Sequence, residues 1–158
     1  MSSSLPSARK KARHMLVQAL YQWQLAGDSI ASIEAQYMAE KGMAKADSEF
    51  FCELLHAIPA KLDELDAAYR EFLDRDPEAL DPISLAVLRI GVYELLHRID
   101  VPYRVVINES VNLAKTFGPT DAYKYINGVI DRVAARARRV EIATSKGIGQ
   151  AGNKGSSQ

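Results

Sequence analysis

Between Leu85 and Leu96 only Arg89 and Glu94 carry charge, and apolar residues fill the rest of the stretch almost without a break. A helix that is apolar all round has to be covered all round. This segment is therefore expected at the centre of a domain, with the rest of the chain wrapped about it. Its limits are marked in the sequence. Asp81-Pro82 is a start signal, an N-cap oxygen followed by a proline suited to the first turn. Val101-Pro102 disfavours helical geometry and closes the element.

The flanking segments have one apolar side each. Ala12, Met15, Leu16, Ala19, Leu20 and Trp23 recur at helical spacing over residues 8–26. Gly27 stops that run, and Asp28 or Ser29 can cap the next, residues 29–41. A third helix is expected over 46–58, with Pro59 forcing a kink or a break, and a fourth over about 60–74. After the central helix, residues 104–117 turn Val106, Ile107, Ser110, Val111, Leu113, Ala114 and Phe117 inward. Gly118-Pro119 makes a turn, and residues 120–139 form the last helix on Ile126, Val129, Ile130, Val133, Ala134 and Ala137. No strand pattern competes, so about seven helices are expected in a compact all-α bundle. The domain is expected to span residues 1–143. From Thr144 the chain is mostly Gly, Ser, Gln, Lys and Asn, and a disordered tail over 144–158 is expected.

Several function classes find no support. No apolar stretch approaches the ~18 residues of a membrane span, and the first residues lack the apolar core of an export signal. A lone cysteine, Cys52, excludes an internal disulfide and points to a reducing, cytoplasmic setting. His14, His56 and His97 lie far apart without metal-ligand spacing, and each reads as a surface or capping residue. Asn108-Glu109 reads as an inter-helix polar contact. Gly147-Ile-Gly149-Gln-Ala-Gly152 fits a dinucleotide fingerprint, but no strand precedes it and no helix follows.

The net charge is zero but unevenly spread. Residues 1–27 hold four Lys/Arg and no acid, residues 28–100 hold seven against sixteen, and residues 101–158 hold nine against four. Two basic ends folded together would attract a polyanion. Arg9, Lys10, Lys11 and Arg13 form the first cluster, and cations at a helix N-terminus oppose its dipole. They suit phosphate neutralisation, or a solvated end. The second cluster runs from Phe117 to Tyr125. Its rings and Lys124 sit around a helix start, where bases can stack and amides attract phosphate. Phe117 reads as core. For Tyr123 and Tyr125 packing and stacking stand level, and Asp121 suits either a helix start or acceptance from base amino groups.

Three stretches carry a resemblance: Val17-Gln-Ala-Leu-Tyr21-Gln-Trp23, Ala86-Val-Leu-Arg89-Ile-Gly-Val-Tyr93-Glu94-Leu, and Val101-Pro-Tyr-Arg-Val-Val-Ile-Asn108-Glu109 running on to Phe117-Gly and Tyr125-Ile-Asn127-Gly128-Val-Ile-Asp131. In this order and spacing, over about residues 9–135, the chain resembles the NusB family of bacterial transcription antitermination factors. The resemblance implies two small helical subdomains, no cofactor, no metal and no catalysis. It implies binding of single-stranded boxA RNA in nascent ribosomal RNA leaders together with NusE, a small-subunit ribosomal protein. Other Nus factors and RNA polymerase would complete the complex. By position, Arg9, Lys10, Lys11 and Arg13 match the arginine-rich RNA-contacting segment, with lysine at two arginine positions. Phe117, Asp121, Lys124 and Tyr125 match a second RNA-facing patch. Tyr21 and Glu78 match positions facing NusE, and Ser84 stands where some relatives carry Glu. The resemblance also leaves open a homodimer that would cover the RNA surface. Two other readings are a protein-interaction module that does not read RNA sequence and a helical domain attached to an RNA methyltransferase, for whose cofactor-binding sheet this length leaves no room.

Overall fold

The computed structural model describes residues 5–146. Seven α-helices follow one another: α1 Leu5–Ala26, α2 Ile30–Met38, α3 Ser48–Ala60, α4 Leu62–Arg70, α5 Pro82–His97, α6 Tyr103–Phe117 and α7 Ala122–Ala137. Short 3-10 turns occupy Lys41–Lys45 and Pro77–Ala79, and residues 139–146 are again helical. No strand occurs among the described residues.

α5 lies at the centre. Every residue from Ala86 to Leu95 is buried. α1, α3, α4, α6 and α7 all pack against it, and α2 joins the group through α1 and α3. The helix starts as the Asp81-Pro82 signal implies: the Asp81 carboxylate accepts from the Ser84 N–H at 2.9 Å, and Pro82 takes the first turn. Of the two possible caps for α2, Ser29 is used, accepting from Ser32 N at 3.1 Å. Pro59 is accommodated in the last turn of α3, and the chain breaks at Lys61 before α4. The expected helix over 60–74 is therefore shorter, ending at Arg70.

The two charges of α5 are both partnered. Arg89 donates to the Asp66 carboxylate at 3.1 and 3.2 Å and to Gln24 Oε1 at 2.9 Å, linking α4 and α1 to the central helix. Glu94 receives a bidentate guanidinium from α1, described below. Between these anchors α5 meets α6 and α7 closely at Gly91. A β-carbon there would lie 2.6 Å from Ser110 Oγ and 2.9 Å from Ile130 Cδ1. Gly91→Ala is expected to destabilise the fold by about 1–3 kcal/mol, because overpacking outweighs the gain in helix propensity. Urea melts of the two proteins check this, and a more stable variant would refute it.

The C-terminal expectation needs correction. Residues 144–146, assigned to a disordered tail, are helical. Composition reflects apolar content alone, whereas here polar anchors hold the chain. Arg138 is buried, and Glu141 accepts from both Arg138 and the Tyr103 N–H. These bonds tie the last helical turns to the α5–α6 junction. The glycine pattern from Gly147 to Gly152 and the rest of the expected tail lie outside the described residues.

Candidate nucleic-acid interface

α1 begins at Leu5 with no acidic residue in its first turn, so the four cations sit on successive sides of one rod. Lys10 and Lys11 are exposed. Arg9 is half-buried between Asp47 at 3.4 Å and Asp100 at 3.5 Å, with its guanidinium over the Phe50 ring. Hydrogen bonding from Arg98 holds the Asp100 carboxyl down to about 2. Asp100 is thus a fixed anion at neutral pH.

Arg13 departs from its expected role as an RNA contact. Its guanidinium is buried and donates to both Glu94 oxygens, Nε to Oε2 at 2.9 Å and Nη2 to Oε1 at 2.7 Å. Glu109 lies 4.0 Å away on α6, and the Phe50 ring covers the group at 5.2 Å. The reason is geometric. Arg13 precedes Leu16 and Leu20 by three and seven positions, which places it on the buried face of α1. A buried carboxylate on the facing helix requires a cation there.

The second cluster forms around the α6–α7 turn. Phe117 is half-buried at the end of α6. Asp121 sits at the N-cap position of α7 with φ 67° and makes no capping hydrogen bond. A left-handed backbone is uncommon for residues other than glycine, though aspartate is among the more tolerant. Its exposed carboxylate lies 3.6 Å from the exposed Lys124 ammonium. The half-buried Tyr123 ring carries two cations, Lys115 at 4.8 Å and Lys124 at 5.9 Å. Tyr125 packs beneath the Arg75 guanidinium at 4.9 Å, and burial pushes its phenol up. Packing thus accounts for part of both tyrosines, and each keeps some exposure.

The two clusters meet through a residue that spacing alone does not single out. The His14 imidazole packs edge-on against the Phe117 ring, with centroids 5.3 Å apart and planes at 78°. α1 and α6 are in contact, so the basic end of one helix adjoins the aromatic end of the other.

The positions matched to a protein partner are treated differently by the fold. Tyr21 is 38% exposed on α1. One turn on, Gln24 donates to the Pro82 carbonyl at 2.9 Å, which fixes this part of α1 against the start of α5. Glu78 is exposed in the turn just before α5. Ser84, expected as a partner contact, is buried at 3% exposure. It lies within the first turn of α5, where its N–H is taken by the Asp81 cap. It lines a groove of about 290 Å³ whose other walls include Arg75, Asp81, Asp121 and Tyr125. Among the described residues no cluster of side chains fits a metal ion, and no helix is long and apolar enough to cross a membrane.

Fold and surface together define an all-helical scaffold with a cationic, aromatic face, the chemistry that unpaired nucleic acid calls for. The chain belongs to the NusB family, whose model matches residues 10–135. It is 51% identical over 138 residues to the transcription antitermination protein NusB of Alcanivorax borkumensis, covering 87% of this chain and 92% of that one. The corresponding protein of Pseudomonas savastanoi pv. phaseolicola is 49% identical, with 87% and 84% covered. Among solved structures, Thermotoga maritima NusB superposes with a TM-score of 0.71 at 26% identity, covering 85% of this chain and 92% of that chain. A crystal structure of the antitermination factors NusB and NusE in complex with dsRNA matches with a TM-score of 0.67 at 25% identity, covering 80% and 96%.

Proposed function

We propose that this protein is a transcription antitermination factor that binds boxA RNA of nascent ribosomal RNA leaders together with NusE. Acting in the cytoplasm, it joins other Nus factors on RNA polymerase and catalyses no reaction. The observation that carries this reading is the family match over residues 10–135. The assignment of residues rests on exposure and chemistry. Lys10, Lys11 and Lys124 are exposed cations that neutralise phosphate and release counterions. Arg9 stands at the edge of that group, already held by two carboxylates. Asp121 is not spent on capping its helix, and its exposed carboxylate beside the Lys124 ammonium can accept from base amino groups. Phe117 and Tyr125 offer ring edges or faces for stacking. Tyr21 and the exposed Glu78 face NusE, where an acidic side chain suits a basic ribosomal protein.

Phosphate contacts position the RNA, and base contacts select it. Lys10→Ala is therefore expected to weaken boxA and scrambled RNA alike and to reduce the slope of log affinity against log salt by about 0.7. Asp121→Ala and Tyr125→Ala are expected to cost boxA more than the scrambled strand. A titration with boxA, scrambled and fully duplexed RNA, with and without NusE at two salt concentrations, tests both points. Equal losses on boxA and scrambled RNA for the Asp121 and Tyr125 variants would reject the division of labour. NusE binding with no preference among the RNAs would favour an interaction module instead.

A further inference from the structure

We propose that His14 is a further RNA-contacting residue, filling the gap between Lys10 and Phe117 and meeting the RNA backbone as the imidazolium. The inference rests on the RNA-binding reading above. His14 lies one helical turn from exposed Lys10 on α1, and its ring touches Phe117 at the end of α6. It therefore occupies the seam between the two clusters, and it is only partly buried there.

The surroundings set its charge. Burial pushes the imidazole below its usual value, and the Lys10 ammonium adds to this, with Glu109 on α6 opposing. Arg13, its neighbour on α1, is turned inward to Glu94. Phe117 brings no charge. Among the described residues no other titratable group of the elements packed on α1 acts on it. Free His14 is therefore mostly neutral at pH 7.5. A phosphate laid across Lys10 and His14 adds negative charge beside the ring and favours its protonated form. Binding then takes up a proton. By linkage, affinity rises as pH falls from the bound-state pKa of His14 to its lower free-state one and levels off once free His14 is itself protonated, and a bound-state shift of one unit allows up to about tenfold.

His56 and His97 do not compete for this role. His56 on α3 pairs with Glu34 on α2, and His97 at the end of α5 pairs with Glu64 on α4, away from the seam. A neutral packing histidine would give no proton uptake on binding, so the two roles separate experimentally.

The test measures affinity of the full chain for a boxA oligonucleotide at pH 8.0, 7.0, 6.0 and 5.5, at constant ionic strength, with a thermal melt at each pH. Wild type is expected to bind roughly three- to tenfold tighter at pH 5.5 than at pH 8.0. His14→Gln is expected to flatten that profile. His14→Lys, charged throughout, is expected to bind severalfold tighter than wild type at pH 8.0 and to show no further gain on acidification. It keeps the test decisive should the glutamine variant fold poorly. A profile of wild-type steepness in either variant would overturn the assignment while leaving the RNA-binding reading intact. Wild type that binds no RNA at any pH would remove both.

Discussion

Arg13→Ala is expected to melt about 10 °C or more below wild type. The substitution leaves the Glu94 carboxylate buried in the centre of the bundle with neither of the two hydrogen bonds it now receives. Removing one partner of a buried ion pair costs about 3–5 kcal/mol, most of it the penalty of the stranded charge. In a domain of this size each kcal/mol moves the midpoint by about 2–4 °C. The side chains of the pair are only 3% and 2% exposed, so added salt should change the loss little. Replacing both partners at once, Arg13→Met with Glu94→Leu, removes the stranded charge and is expected to recover much of the stability. Arg13→Lys should rescue poorly, because an ammonium lacks the planar fork that grips both oxygens. Lys10→Ala is the matching control. Lys10 is exposed, and its loss should shift stability by no more than about 0.5 kcal/mol while weakening RNA. Neighbours in one basic cluster thus separate into a residue that holds α1 on α5 and a residue proposed to meet phosphate. Calorimetric melts of the single and double variants decide this. An Arg13→Ala protein as stable as wild type would show that Glu94 has another partner or is not buried.

The same pair shows what could be seen in the sequence and what could not. Local periodicity exposed the central helix, because a segment apolar on every side has one possible place in a small bundle. Asp81-Pro82 and Pro59 marked boundaries for equally local reasons, a cap oxygen and a missing N–H. Periodicity fails where a charged residue lies on the buried face, since charge alone suggests water. The signal for Arg13 was present but split in two. Glu94 stood alone in an apolar helix, and Arg13 stood in register with Leu16 and Leu20. Joining them required knowing that α1 crosses α5 at that level. His14 was illegible for the same kind of reason. Its importance comes from Phe117, far along the chain, and a single histidine carries no spacing to read. Asp121 was recognisable as a helix-start residue, but its left-handed backbone and unused cap oxygen appear only in three dimensions. Ser84 could be matched by position but not by burial.

Arg138, in a basic run at the end of the last expected helix, has no local feature that marks it as buried, yet the fold depends on it. Its guanidinium is buried at the end of α5. Nε donates to the Leu95 carbonyl at 2.8 Å, Nη1 to Val101 at 2.9 Å, and Nη2 to Glu94 at 3.1 Å and Arg98 at 3.0 Å. The last carbonyls of a helix have no partners within the helix, and here they are turned into the protein instead of toward water. The Glu94 and Arg98 carbonyls also accept from the Arg98 and Val101 N–H groups, so it is the Leu95 and Val101 carbonyls that depend on this one side chain and its five donors. Arg138→Met keeps similar bulk but removes every donor. Each buried acceptor left without a partner costs about 1–3 kcal/mol, so a net loss of about 3 kcal/mol or more is expected, with a midpoint lower by roughly 6–12 °C. Arg138→Lys should fall between, with three donors and no fork. The damage should also be local. Glu141 accepts from the Tyr103 N–H at 3.0 Å as well as from Arg138, so the start of α6 and residues 139–146 are held through the same joint. Amide hydrogen exchange should quicken most at the end of α5, the 98–102 connection and the first turn of α6. That connection contains Asp100, one of the two carboxylates that hold Arg9, so loosening it also frees the basic end of α1. A midpoint within about 2 °C of wild type for Arg138→Met, or exchange that quickens evenly over the whole chain, would mean that these carbonyls find water and that the joint is not what closes the bundle.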